Sequence, residues 1–260
     1  MSFGIEIFVI LFFVACFAGF LDAMAGGGGL ITIPALFMAG LPPSMVLGTN
    51  KLQSTAGAFS ASFYFYRSGM IELRDIKLIV LMSFLGGICG ATLVQVIHAD
   101  ILKNLLPFLT FIIGLYFLFT PNIGQQTSQR RISYVTFAFS VSLTIGFYDG
   151  LFGAGSGSML CLAFITLLGF SISKATAYAK VLNFASSFAS LCCFIVGKEV
   201  YFPLGFTMLA GQLIGARLGA KVVVNKGQTF IRPLVVIMSF LLTLKIVYDQ
   251  GWFNHLSHIL

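Results

Sequence analysis

Apolar residues run through this chain in long unbroken stretches, with polar residues confined to the gaps between them. "IFVILFFVACFAGF" (7–20) and "PFLTFIIGLYFLF" (107–119) show no alternation of polar and apolar positions. A membrane β-barrel needs strands of about ten residues with such alternation. Continuous runs of this kind can satisfy their backbone polar groups in lipid only as α-helices. The runs predict apolar segments near 5–22, 29–40, 44–66, 76–97 and 102–120, then near 132–150, 156–169, 174–196, 201–220 and 230–248. The second and seventh are short. At 1.5 Å per residue they reach only about 18–22 Å, against a hydrocarbon core of about 30 Å. Each is a broken helix or a re-entrant loop.

The chain repeats itself. Gly19, Asp22, Gly26 and Gly28 match Gly146, Asp149, Gly153 and Gly155 at one shift of 127 residues, and Lys51 matches Lys180 at nearly the same shift. The organisation predicted is a first transmembrane repeat over 1–120, a polar linker over 121–131 and a second repeat over 132–260. Loop charge orients the halves. The connection 67–77 carries Arg67, Arg74 and Lys77, whereas its counterpart 197–202 carries only Lys198. The connection 98–103 carries only Lys103, whereas 221–232 carries Lys221, Lys226 and Arg232. Equivalent loops thus have opposite bias, so the positive-inside rule sets the halves in opposite orientations, each with an odd number of crossings. Ten crossings follow, with the linker cytoplasmic and both termini outside. The fold class expected is an all-α polytopic bundle of two inverted repeats, about five segments each, a recurrent plan of secondary transporters.

Composition agrees: 58% of residues are hydrophobic and 9% charged, with mean hydropathy +0.99. Soluble domains carry roughly 25% charged residues. The net charge of +7 lies in short connections and forms no basic face for nucleic acid. Residues 7–21 imitate a signal-peptide core, but the start "MSFGIE" has an acid and no base, so the first helix is expected to be retained. Cys16, Cys89, Cys161, Cys192 and Cys193 lack metal-ligand spacing and are expected to be small buried hydrophobes. No cofactor motif is present, and no phosphate-binding loop for ATP hydrolysis.

Against this background a few polar positions stand out. Gly26, Gly27, Gly28 and Gly29 interrupt the first half, and Gly153, Gly155, Ser156 and Gly157 interrupt the second. Unwound backbone at membrane depth survives where protein buries it or where it lines a wet cavity. Its free N–H groups and the dipole of the following helix suit an anion. The alternative is close helix packing, which is the reading for "GGICGA" (86–91) and "GQLIGARLGA" (211–220). Asp22 and Asp149 end the first helix of each half. They serve as a proton relay or cation ligand, or else cap the next short helix. Lys51, with Asn50 and Gln53 beside it, and Lys180, with Asn183 at i+3, could neutralise an oxyanion and bond its oxygens. Alternatively, each lysine snorkels to an interface. Arg217 reads as an interface anchor.

"GFLDAMAGGGGLITIPAL" followed by "GTNKLQ", with the copies "GFYDGLFGAGSGS" and "ATAYAKVLN", resembles the TauE/SafE family over nearly the whole chain. Its members are described as sulfite-exporter-like or sulfonate-permease-like transporters of bacterial inner membranes, and the match is nearest a branch of probable membrane transporter proteins. The resemblance implies a multi-pass permease for small, often sulfur-containing anions such as sulfite or a sulfonate. The expected partners are that anion and the lipid bilayer, with no nucleic acid and with a homo-oligomer allowed. The competing readings are an anion channel and an intramembrane aspartyl protease, in which Asp22 and Asp149 would share a proton. The protease's G-x-G-D pattern is absent around both acids, so no enzymatic activity is expected.

Overall fold

The computed structural model describes residues 3–72, 76–97, 101 and 129–226. The predicted fifth segments (102–120 and 230–248), linker residues 121–128, and the loop charges Arg74, Lys103 and Arg232 lie outside the described residues. Eight helices account for the rest, and no strand occurs among the described residues. In the first half they are α1 (Ile5–Ala25), α2 (Gly29–Met38), α3 (Pro43–Arg67) and α4 (Lys77–Val96). In the second, α5 runs through Tyr134–Thr136, a π-helical stretch Phe137–Ser142 and Leu143–Leu151. It is followed by α6 (Ser156–Leu168), α7 (Ile172–Val196) and α8 (Phe202–Lys226).

Helices α1, α4, α7 and α8 are long and apolar enough to cross a membrane. Helix α3, at 25 residues, is as long as α7, but its hydropathy is diluted by Asn50, Lys51, Gln53 and other buried polar residues. The distribution of side chains is that of a protein in lipid. Large apolar groups such as Phe13 and Phe17 on α1, Phe59 and Phe63 on α3, and Phe206 on α8 point outward, while ionic and amide groups lie inside. Cys89 and Cys192 correct one expectation. Both are exposed, because each lies on a helix face turned away from the bundle, where a thiol suits lipid as well as it suits a core.

The helices pack as two triplets. In one, α8 lies parallel to α1, with Gly211, Gly215 and Gly219 against the carbonyls of Phe12, Cys16 and Phe20 in turn. It also lies parallel to α3, with Gly205 at Leu52, Gln212 at Gly57, and Ser60 donating to the Leu213 carbonyl at 3.0 Å. In the other triplet, α4 runs parallel to α5, with Gly86 and Gly90 against the carbonyls of Leu143 and Phe147. It runs parallel to α7 as well, where Ser83 donates to Leu182 O (3.0 Å) and Ser190 to Gly87 O (3.2 Å). The triplets join through α3 and α7, which are antiparallel: Gly48 touches Glu199, the Phe59 and Phe184 rings meet at 5.5 Å and a 50° tilt, and Glu72 N donates to the Tyr178 hydroxyl. Among the described helices the halves are therefore interlocked, since α4 packs with the second half and α8 with the first.

The glycine-rich stretches of α4 and α8 are thus packing faces, as read from the sequence. Small residues allow backbones to approach where apolar side chains gain nothing by leaving lipid. A methyl group added at Gly90 would overlap the Phe147 carbonyl. Gly90→Ala is expected to lower stability by about 1–3 kcal/mol. Gly4→Ala, with nothing within 4 Å, should leave the thermal unfolding midpoint of the detergent-purified protein unchanged.

Candidate functional site

The two glycine breaks sit between α1 and α2 and between α5 and α6, and they touch. Gly26 closes α1 in the left-handed conformation, φ 79°, and its N–H donates to Asp22 O at 2.8 Å. Its repeat equivalent Gly153 has nearly the same backbone, φ 80°. A Cβ on Gly26 would fall 2.8 Å from the Gly157 Cα and closer still to Ser158 N, and one on Gly29 would fall 3.1 Å from the Ala154 Cα. The Ser158 hydroxyl, one residue past the opposite break, donates to Ala25 O. Of the four glycines in the first run, Gly26 has positive φ and Gly27 does not.

Both lysines point into this junction. Lys51 and Lys180 are each only 1% exposed, so neither snorkels to an interface. Their partners are the two aspartates, taken crosswise between the halves. Lys180 Nζ lies 2.6 Å from Asp22 Oδ2, and Lys51 Nζ lies 3.1 Å from Asp149 Oδ2. Lys51 also donates to the backbone carbonyl of Asp149. The pairing has a plain cause. An unpaired charge inside a bundle surrounded by lipid costs several kcal/mol, and a carboxylate against an ammonium recovers much of that cost. Because each carboxylate has its own lysine, the two do not form a shared-proton dyad.

The capping role is also present. Gly28 N donates to Asp22 Oδ1 at 3.0 Å, so the anion at the N-terminus of α2 is the protein's own Asp22 carboxylate. Asp149 is held by side chains instead. Ser156 (2.5 Å) and Asn183 (3.1 Å) donate to its Oδ1, and Ser186 (2.7 Å) and Ser187 (3.0 Å) donate to its Oδ2. Asn183 is therefore a ligand of Asp149 although it shares a helix face with Lys180, which binds Asp22. Asn50 accepts from Thr32 (2.6 Å) and Gln53 (2.7 Å), and Gln53 Oε1 is buried without a donor.

The structure thus brings together Asp22, Gly26, Gly28, Gly29, Asn50, Lys51, Gln53, Asp149, Gly153, Ser156, Gly157, Lys180 and Asn183. Gly27 and Gly155 belong to the breaks, and a Cβ on Gly27 would meet only Leu30 Cδ1 at 3.7 Å. Thr32, Ser186 and Ser187 are additional members. The signal for Ser187 is legible in retrospect, since Lys180, Asn183 and Ser187 follow i, i+3, i+7 on α7. Arg217, read as an anchor, is exposed on α8, away from the junction.

Two ammoniums and two carboxylates leave the junction without net charge. Such a site can hold an incoming anion only if an ammonium turns from its carboxylate, and the carboxylate so released needs a proton or another donor.

Residues 11–246 match the family described as "Sulfite exporter TauE/SafE". The chain is 55% identical to a "Probable membrane transporter protein" of Haemophilus influenzae, over 98% of this chain and 100% of that one. It is 50% identical to "Probable membrane transporter protein YfcA" of Escherichia coli K12, over 93% and 90% of the two chains. With "Probable membrane transporter protein ORF9" of a Sinorhizobium species the identity is 42%, over 96% and 98%. No solved structure matches.

Proposed function

This chain belongs to the sulfite exporter TauE/SafE family of multi-pass membrane transporters, and on that premise we propose that it is a secondary transporter of a small sulfur-containing or organic anion, such as sulfite or a sulfonate. The observation that carries this reading is the crosswise pairing of Lys51 with Asp149 and of Lys180 with Asp22 where the two glycine breaks meet. A transported anion competes with an aspartate for an ammonium, and a proton on the displaced aspartate keeps the site neutral. Anion binding and proton uptake are then one event, so a proton gradient can drive movement in either direction.

Residues 1–120 and 132–260 act as inverted repeats about the linker 121–131. The antiparallel setting of α3 and α7 supports this, together with the matched pairings of α8 with α1 and α4 with α5. If α2 and α6 did not count as crossings, α1 would run antiparallel to α3 and α5 to α7. Instead, α8 lies parallel to both members of the first pair and α4 to both members of the second. The placement that follows is the bacterial inner membrane, with the linker cytoplasmic and the termini periplasmic. The partners are the anion and lipid, nucleic acid is not among them, and a homo-oligomer is compatible with the exposed apolar faces.

The test is a thermal-unfolding panel on purified protein with sulfite, thiosulfate, taurine and acetate. A ligand at a hundred times its dissociation constant stabilises the folded state by about 2.7 kcal/mol. At least one anion is expected to raise the midpoint of the wild type and not that of the Lys51→Met/Lys180→Met variant. The proposal fails if no anion shifts the wild type, or if the double variant responds equally.

A further inference from the structure

The two ion pairs occupy equivalent repeat positions, yet their surroundings differ. Asp149 receives four side-chain hydrogen bonds, from Ser156, Asn183, Ser186 and Ser187, in addition to Lys51. At the repeat shift these donors fall on Gly29, Ser54, Gly57 and Ala58. Three of those side chains have no donor, and the Ser54 hydroxyl is committed to the Lys51 carbonyl at 3.4 Å. Among the described residues Asp22 therefore keeps the Gly28 N–H and Lys180. Its side chain is 11% exposed against 1% for Asp149. Hydrogen bonds to a carboxylate favour its charged form, and each one missing makes protonation easier.

Among the described residues no other charged group offsets the difference. Toward Asp22, α7 presents Lys180, and α3 presents Lys51, which is bound to Asp149. Helix α2 has no titratable side chain, and α6 brings the thiol of Cys161, which lies 3.5 Å from Thr176 Oγ1. Arg217 and Lys221 of α8 are exposed. On α1 itself Glu6 is exposed, several turns from Asp22, and Cys16 is half-buried. The side α8 turns toward α1 carries the amide of Gln212, whose Oε1 is buried without a donor against Gly19, one turn along α1 from Asp22. An uncommitted acceptor serves a neutral carboxylic acid and does nothing for a carboxylate.

Resting on the transport reading above, we propose that Asp22 alone carries the coupling proton and that Lys180 is the ammonium released to the anion, while the Lys51–Asp149 pair stays closed as a fixed pivot. In the step, a proton adds to Asp22 Oδ2 and the Lys180 N–H···Oδ2 hydrogen bond breaks. Lys180 then donates that N–H to an oxygen of the anion. The O–H bond formed on Asp22 is matched by the one broken in the hydronium that delivers the proton, and no other covalent bond changes.

Infrared spectroscopy of the protein in lipid tests this without a known substrate, as the pH is taken from about 9 to about 4. The wild type is expected to develop a protonated-carboxyl C=O band that Asp22→Asn removes, Asp149→Asn retains and Asp22→Glu shifts in frequency. Ser186→Ala/Ser187→Ala, which strips two donors from Asp149, should add a second band. A band lost in Asp149→Asn and kept in Asp22→Asn overturns the assignment, as does a wild type with no band that either variant alters. If the Asp22 band is present but no anion in the panel binds, the asymmetry stands and the transport reading falls. If an anion binds and the band is absent, the reverse holds.

Discussion

Lys180→Met is expected to abolish transport of radiolabelled sulfite by reconstituted vesicles and to cost about 3–5 kcal/mol of stability, the usual penalty for leaving one partner of a buried pair alone. Among the described residues Asp22 would be left with the Gly28 N–H as its donor. Adding Asp22→Asn removes the stranded charge, so the double variant should recover most of the stability and none of the transport. Lys51→Met should abolish transport as well but cost less stability, because four side chains continue to hold Asp149. Chemical unfolding in detergent, run beside vesicle uptake, separates the two effects. Normal transport by Lys180→Met would remove the ammonium from the mechanism. Equal stability losses in the two single variants would show that the hydroxyls around Asp149 contribute nothing.

The second large effect is expected at the contact between the breaks. Gly26→Val puts a branched side chain on a residue with φ 79°, at a penalty of about 1–2 kcal/mol. It also drives a Cβ into the backbone of Gly157 and Ser158, where overpacking typically costs about 1–3 kcal/mol more. Stability should therefore fall by roughly 2–5 kcal/mol. Any protein that folds should have lost transport, since the junction between α1 and α6 is wedged open. Gly27→Ala, one residue away, meets only Leu30 Cδ1 at 3.7 Å and should behave as wild type in both assays. If Gly26→Val transports normally, the contact of the two breaks is packing and not mechanism.

Much of this architecture was legible before any coordinates. The predicted segment 29–40 is the helix Gly29–Met38, and 174–196 is Ile172–Val196. Both are visible because an apolar run bounded by glycine or proline is a local property of the chain. Asp22 and Asp149 were conspicuous for the same reason, as charges where the solvent is lipid. Less was legible about what those charges touch. Asn183 shares a face with Lys180, and helical spacing alone suggested that both serve one ligand. In the bundle they turn to different aspartates, because α7 passes between α1 and α5. Ser186 lies off the spacing that joins Lys180, Asn183 and Ser187, and its role appears only when Asp149 lies 2.7 Å away.

The sequence by itself determined that this is a helical membrane protein, where its helices break, and that four ionisable groups are forced inside. These follow from hydropathy, helix rise and the backbone freedom of glycine, which act over a few neighbouring residues. Only the tertiary structure decided which acid neutralises which lysine, across separations of 98 and 158 residues. It also decided that one acid is wrapped in hydroxyls while its twin is left almost bare. Coulomb attraction and hydrogen bonding depend on distance in space, and that distance is set only when α4 and α8 cross over to pack against the opposite half.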